Sequence, residues 1–219
     1  MKKEINLLKN YPKTKRDTSL RAQKKSETDI KIARKFDKDF FDGSRQHGYG
    51  GFSYNKKFWN KVVEDFRDHW NINQNDRILD VGCAKGFMVY DFKNLIPEIY
   101  IEGIDISNYA IKNSKQEIKN LLKVADAKSL PYENDSFDYV ISINTIHNLD
   151  LNDCKKALRE IQRVSKKDSF ITVDAYNNDD EKKMMLDWNL TAKTILSVKE
   201  WKEIFIETGY TGDYFWFMP

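Results

Sequence analysis

The feature that most constrains the fold is a short buried strand followed directly by a glycine-rich turn. Residues 77–87 read Arg-Ile-Leu-Asp-Val-Gly-Cys-Ala-Lys-Gly-Phe, so an apolar run containing Asp80 leads into Gly82 and Gly86 and then into a helical pattern. Glycine allows a tight bend and lets a ligand approach the main chain, and the helix that follows offers its N-terminus to that ligand. The segment therefore predicts a nucleotide-type binding turn.

The rest of the chain predicts an α/β domain. From about Trp59 onward, short runs rich in Val and Ile alternate with helical stretches, a pattern typical of a mostly parallel sheet covered by helices. The predicted strands span residues 77–81, 99–104, 122–125, 139–143, 170–173 and 214–218. The predicted helices span residues 59–70, 88–95, 109–121, 152–164 and 199–208, the last with a capping box at Ser197 and Glu200 and a stop at Gly209.

Residues 1–58 are predicted to form a partly flexible arm or lid, and residues 59–219 the domain itself. Residues 1–45 hold 14 Lys or Arg against 7 Asp or Glu, whereas the remainder holds 23 against 27. Such an arm either steers phosphate-rich partners toward the protein or is a solvated leader.

Other functional classes find no support in the composition. No apolar run is long enough for a membrane span or an export signal. The two cysteines, Cys83 and Cys154, show no disulfide or metal spacing, which fits a cytoplasmic protein. His47, His69 and His147 are far apart in the sequence, so no metal site is expected.

Acidic residues also follow the later strands. Asp105 ends the second strand about twenty residues after the turn, where a carboxylate can accept hydrogen bonds from both hydroxyls of a ribose. The turn lacks the G-x-G-x-x-G spacing of dinucleotide folds, and Asp80 would repel a pyrophosphate, which disfavours NAD. An adenosine-type ligand is predicted.

Residues 76–174 resemble the class I, Rossmann-like S-adenosylmethionine-dependent methyltransferases, whose hallmark is a strand-ending D-V-G-C-G-x-G. The resemblance implies a three-layer α/β/α fold, S-adenosylmethionine as cofactor and S-adenosylhomocysteine as product. It implies that Asp80 and Gly82 lie along the methionine part, that Asp105 holds the ribose and that Asn144 faces the reactive end. The remaining implied cofactor contacts are the backbone of Gly82, Cys83, Ala84 and Gly86, the side chain of Ile106 against the adenine, and Asp126 with Ala127 at its exocyclic amine. Ala84 replaces the family's usual glycine, and since alanine resists φ > 0, a slightly altered turn is expected.

Candidate acceptor-side residues follow the fourth and fifth strands and precede the domain. His147 is either a general base or a residue that caps or packs. The glycine- and aromatic-rich segment 47–54 is either a lid over the site or a staple that holds the arm, and it supplies His47, Tyr49 and Tyr54. Tyr176 and Trp188 are further substrate-side candidates, with ordinary packing as the alternative.

The leading hypothesis is methyl transfer to an oxygen or nitrogen of a small polar metabolite, such as a sugar or amino-acid-like acceptor. A tRNA or other nucleic-acid methyltransferase that uses the basic arm is the first alternative, although residues 144–147 lack the N-P-P-Y type motif of base methyltransferases. A non-catalytic protein that binds S-adenosylmethionine is the second. The acceptor and the oligomeric state stay open.

Overall fold

The computed structural model of the protein describes residues 3–13, 16–50 and 52–219, in which a twisted sheet forms the centre. Its strands are β1 (Arg77–Val81), β2 (Tyr100–Asp105), β3 (Leu122–Val124), β4 (Phe137–Ile143), β5 (Ser165–Tyr176), β6 (Leu196–Ser197) and β7 (Asp213–Phe217). They run in the order β3-β2-β1-β4-β5, with β7 beside residues 170–174 of β5 and β6 beside its last two residues. Every pairing is parallel.

Helices cover both faces of this sheet, which confirms the predicted Rossmann-like α/β fold. They are α1 (Thr18–Lys24), α2 (Glu27–Ala33), α3 (Lys38–Phe41), α4 (Lys56–Trp70), α5 (Phe87–Leu95), α6 (Asn108–Lys112), α7 (Leu151–Val164), α8 (Asp179–Trp188) and α9 (Val198–Thr208), with short 3-10 helices at Gln116–Leu121 and Ile146–Asn148. One apolar core lies under α7 and α9, and a second lies under α4 and α5. No helix in the described ranges is both long and apolar enough to cross a membrane.

The strand order places a ligand crevice at β1. The chain leaves β1 toward β2 on one side and later returns to β4 on the other, so β1 lies at the point where the strand order reverses. In open parallel sheets, ligands bind outside the carboxyl ends of the strands at that point. The glycine turn after β1 and the residues after β2 and β4 therefore line one crevice.

The predicted helix at 109–121 is wrong in its length. α6 ends at Lys112, because the side chains of Asn113 and Ser114 bond back to the carbonyls of Tyr109 and Ile111 and compete with the helical ladder. The sequence prediction also missed α8, although Asn178 caps it by accepting a hydrogen bond from the N–H of Glu181. The capping box at Ser197 and the left-handed stop at Gly209 are confirmed.

The arm is built from helices and packs on the domain. Its helices α1, α2 and α3 each begin at an aspartate or serine cap, and α4 begins three residues earlier than predicted because Asn55 caps it. At the amino-terminal end, the N–H of Ile5 donates to the carbonyl of Tyr214 at 2.9 Å, and Leu7 is buried in the core under α4. The segment thus pairs with an edge of β7.

Candidate active site

The turn after β1 has a conformation that glycine alone fits well. Gly82 has φ of +85°, and a Cβ atom there would lie 2.0 Å from Oγ1 of Thr145. Gly86 has φ of +73° at the start of α5, where a Cβ would lie 2.6 Å from Cδ1 of Leu122. Packing against Thr145 and Leu122, together with the positive φ, therefore requires glycine at both positions.

Ala84 adopts the left-handed conformation that its side chain disfavours, with φ of +52°. The turn thus accommodates alanine in a left-handed conformation, and the backbone strain falls on Ala84.

We predict that Ala84→Gly raises the free energy of unfolding by roughly 0.5 to 1 kcal/mol, because relief of the left-handed strain exceeds the entropic cost of glycine. Urea unfolding of the two proteins measures the difference. Loss of stability in the variant would show that φ strain at Ala84 is not the controlling effect.

The turn's own N–H groups are largely used inside the protein. Gly82 and Cys83 both donate to the carbonyl of Ile104, at 2.8 and 2.9 Å, and Gly86 donates to the carbonyl of Cys83 at 2.8 Å. The thiol of Cys83 is buried, which raises its pKa well above its usual range. The N–H groups of Gly82, Cys83 and Gly86 are therefore already paired within the protein.

Asp105 at the end of β2 is held in place by two backbone N–H groups. Its Oδ2 accepts from Ala84 and its Oδ1 from Ser107, each at 2.8 Å. Each carboxylate oxygen can accept a second hydrogen bond. The carboxylate is therefore oriented and can receive one hydroxyl on each oxygen, as two neighbouring ribose hydroxyls require.

Asp80 is a buried carboxyl that would be stabilised by a cation. Burial, together with the negative charge of Asp105, raises the pKa of Asp80 to about 8. A positively charged ligand beside it would favour the ionised form. S-adenosylmethionine carries an ammonium and a sulfonium, so the residues of this crevice fit that cofactor.

We predict that the stability of the ligand-free protein depends on this carboxyl as the pH rises. In the folded state Asp80 stays protonated to about pH 8, whereas in the unfolded state it ionises near pH 3.9. Between these values the unfolded state binds fewer protons, so raising the pH removes stability. Between pH 5 and 7.5, the free energy of unfolding of Asp80→Asn should rise relative to that of the wild type by up to about 1.4 kcal/mol per pH unit. Urea unfolding at several pH values measures this difference. A difference that does not change with pH would refute this.

The other implied cofactor residues lie around the same crevice. The side chain of Ile106 is 57% exposed, and Ala127 packs against the core under α7. Asp126 accepts from the N–H of Lys128 at 3.0 Å. Asn144 has φ of +51°, and its Oδ1 accepts from Oγ1 of Thr172 at 2.8 Å. The amide of Asn144 is therefore fixed at the carboxyl end of β4.

The environment of His147 is unfavourable for the general-base role. The imidazole is buried, which lowers its pKa, and its Nδ1 accepts the N–H of Asp174 at 2.9 Å. A neutral ring that accepts at Nδ1 carries its proton on Nε2. His147 can therefore donate from Nε2 but has no lone pair there to take a proton. Its backbone carbonyl also accepts from the N–H groups of Lys193 and Thr194, each at 3.0 Å.

The arm lies against the loops that carry the turn and Asp105. Nζ of Lys85, in the turn, lies 2.6 Å from Oδ1 of Asp42, and the hydroxyl of Tyr109 donates to Oδ2 of Asp42 at 2.7 Å. The hydroxyl of Ser107 donates to the carbonyl of Phe36. An apolar cluster joins arm aromatics to both sides of the crevice; it includes Phe36, Phe40, Phe41, Tyr49, Phe52, Ala84, Tyr109, Ala110 and Leu190.

Three cationic side chains of the arm bind backbone carbonyls of the domain. The donors are Arg21, Lys25 and Arg34. Their acceptors are backbone carbonyls within residues 186–192, in the last turn of α8 and just after it. Cations are favourable at the C-terminus of a helix, where carbonyls lack intrahelical partners. These three side chains tie the arm to the segment after α8.

The predicted acceptor-side residues separate into two groups. Tyr49 and Trp188 come together with ring centroids 5.8 Å apart, and the hydroxyl of Tyr49 accepts the N–H of Leu190 at 2.7 Å. The others contact different elements: Tyr54 donates to Asp91 on α5, His47 lies 3.1 Å from Asp29, and Tyr176 packs under Lys182. Gly51 of the glycine- and aromatic-rich segment lies outside the described residues. The contacts of Tyr49 match the staple alternative.

Sequence reasoning did not single out Lys85, Asp42 or Asp174. Lys85 and Asp42 are 43 residues apart, and no local pattern links an arm aspartate to a lysine in the turn. Asp174 is 2% exposed, its carboxyl lies 3.7 Å from Nδ1 of His147, and it accepts a hydrogen bond from the amide of Asn189.

Comparison with known proteins points to the same class of enzyme as the S-adenosylmethionine-like fit of this crevice. Residues 72–209 match a methyltransferase-domain family. The chain is 35% identical over 130 residues to an uncharacterised protein of Methanocaldococcus jannaschii, covering 57% of this chain and 48% of that protein. It is 36% identical over 127 residues to the tRNA (carboxymethyluridine(34)-5-O)-methyltransferase of Arabidopsis thaliana, covering 57% and 30%. The chain thus spans half or less of the length of these relatives.

A solved structure shares the fold. Phosphoethanolamine N-methyltransferase 2 of Haemonchus contortus, in complex with phosphomonomethylethanolamine and S-adenosylhomocysteine, superposes with a TM-score of 0.58 at 19% identity, over 81% of this chain and 44% of that one. The matched family covers more than half of the chain and includes the turn, Asp80 and Asp105. The chain therefore belongs to the class I, Rossmann-like methyltransferases, whose cofactor is S-adenosylmethionine.

Proposed function

We propose that this protein transfers a methyl group from S-adenosylmethionine to an oxygen or nitrogen of a small polar acceptor. The observation that carries the proposal is the placement of two carboxyls, the buried Asp80 and the half-buried Asp105, beside a glycine turn at the reversal point of the sheet. Asp80 would lie beside the cationic methionine part and Asp105 would hold the ribose. When bound, the cofactor supplies an electrophilic methyl carbon on a sulfonium.

The acceptor would bind at the carboxyl ends of β4 and β5, beneath the arm. Asn144, His147 and Asp174 lie at these ends, and Tyr49 and Trp188 cover the same region. Methyl transfer needs the acceptor atom in line with the sulfonium, so positioning by a closed cover contributes directly to rate. Within this proposal His147 is a positioning residue that orders the loop at 193–194.

A tRNA acceptor is the second candidate, and the relative from Arabidopsis thaliana, named for methyl transfer to a tRNA nucleoside, favours it. Against it, Arg21, Lys25 and Arg34 already bind carbonyls of this chain, which leaves less of the arm's charge for phosphates. Nucleic-acid binding driven by phosphate contacts weakens steeply with salt.

The test is transfer of label from methyl-tritiated S-adenosylmethionine to two separate pools, metabolites below about 3 kDa and bulk tRNA, with the enzyme at equal concentration. We expect label in the metabolite pool that Asp105→Asn abolishes. Label in tRNA alone, with sharply salt-dependent filter binding, would replace the small acceptor by the second candidate. No transfer to either pool, despite cofactor binding, would contradict methyl transfer.

A further inference from the structure

Arg16, just before α1, has a guanidinium that aromatic rings hold in place without an ion pair. Its guanidinium carbon lies 4.8 Å from the ring centroid of Phe217 and 5.4 Å from that of Trp188. Within residues 3–13, 16–50 and 52–219, no carboxylate oxygen lies within 4.0 Å of it and no acceptor is hydrogen-bonded to it. Burial lowers the pKa of this side chain, so its N–H groups are partly removed from water.

The comparison with Arg21 shows what Arg16 lacks. Arg21 also lies over Trp188, at 4.9 Å, but it donates to the carbonyls of Trp188, Arg45 and Gly48. A guanidinium has five N–H donors, and stacking on rings leaves those at its edge free for a bidentate acceptor. Arg21 thus uses three of its five donors on carbonyls, whereas Arg16 donates to no carbonyl in the part of the chain that the structure describes.

Arg16 lies near another cation, Arg45, and near two acidic groups. Burial is the main reason that the pKa values of Arg16 and Arg21 are lowered, and the nearby charge of Arg45 also lowers both. Two acidic groups face Arg16, the phenol of Tyr11 and the carboxyl of Asp174. Burial raises the pKa of Asp174, and its carboxyl already accepts from the amide of Asn189.

We propose that Arg16 binds an anionic group of the methyl acceptor, a carboxylate or a phosphate, at the carboxyl ends of β5 and β7. This inference rests on the proposed function, since it assumes that the acceptor lies beneath the arm beside β4 and β5. Trp188 and Phe217 lie against the guanidinium, and planar bidentate recognition of carboxylate or phosphate is what arginine provides best. The acceptor is then an anion.

The test titrates the protein, saturated with S-adenosylhomocysteine, with sodium malonate, sodium phosphate and glycerol at constant ionic strength, followed by tryptophan fluorescence and calorimetry. We expect at least one anion to bind, glycerol not to bind, and Arg16→Gln to weaken the anion at least tenfold. Preference for malonate or for phosphate identifies the group. Arg159→Gln is the matched control, because Arg159 is 52% exposed on α7 and lies 4.0 Å from Glu207.

Two results would overturn the inference: no binding of either anion, or equal binding by the wild type and Arg16→Gln. The affinity for S-adenosylhomocysteine is measured in the same titrations, and Arg16→Gln should leave it unchanged. If the anion result is negative while labelled methyl transfer persists, the anionic acceptor is wrong and the proposed function stands. If transfer is absent as well, both are wrong.

Discussion

Asp105→Asn is expected to lower the affinity for S-adenosylmethionine by about 100-fold while the protein remains folded. Two charge-assisted hydrogen bonds to the ribose depend on the carboxylate, and their weakening corresponds to about 2.7 kcal/mol. The asparagine keeps one acceptor oxygen for the N–H groups of Ala84 and Ser107, so part of the local structure is retained. Isothermal titration measures the affinity, and thermal melting checks the fold.

The matched control for this variant is Asp68→Asn. Asp68 is 69% exposed on α4 and pairs with Arg67, so its substitution removes the same charge away from the crevice. It should leave the cofactor affinity unchanged. A folded Asp105→Asn protein that binds within threefold of the wild type would show that Asp105 does not hold the ribose.

Gly82→Ala is expected to reduce the free energy of unfolding by roughly 3 kcal/mol and to abolish cofactor binding. Left-handed backbone costs alanine about 1 to 2 kcal/mol, and overpacking adds about 1 to 3 kcal/mol. The added Cβ would lie 2.0 Å from Oγ1 and 2.3 Å from Cγ2 of Thr145. To relieve this clash, the turn and the loop after β4 must move apart.

Gly209→Ala separates the two costs. Gly209 has φ of +70°, but a Cβ there would meet nothing within 4 Å. This variant should lose only about 1 kcal/mol and bind the cofactor normally. In the Gly82→Ala background, Thr145→Ala should restore part of the stability. Equal losses at Gly82 and Gly209, measured by urea unfolding, would mean that contact with Thr145 is unimportant.

The cofactor half of the crevice could be predicted because its signals are local. Asp80, Gly82 and Gly86 fall within seven residues, and Asp105 ends the next strand, so strand periodicity and spacing place them at one edge of the sheet, while the family resemblance implies their roles at the cofactor. β1 matches its predicted bounds for the same reason. The positive φ of Ala84 runs against its local preference, because its N–H donates to Asp105 and its side chain packs with the arm.

The acceptor half depends on contacts between distant parts of the chain, which a single sequence does not display. Lysines and arginines before residue 45 suggested a solvated arm, yet Arg21 and Arg34 bind carbonyls more than 150 residues away. The unperturbed pKa of histidine lies near neutrality, which made His147 a candidate general base. In the structure, however, its Nδ1 already accepts a hydrogen bond from the N–H of Asp174. Only the three-dimensional arrangement shows whether a Lys or Arg side chain is exposed to solvent or binds a backbone carbonyl. The same holds for whether a histidine is free to act as a general base or is already hydrogen-bonded.

The central claim, that the crevice after β1 and β2 binds S-adenosylmethionine, is tested most directly by the melting temperature with S-adenosylmethionine, S-adenosylhomocysteine, NAD or no ligand. A ligand that binds only the folded state raises the melting temperature, by an amount set by its concentration relative to Kd. We predict a rise with the two adenosyl compounds that NAD does not produce and that Asp105→Asn removes. A rise with NAD alone, or no rise with either adenosyl compound, would contradict the account.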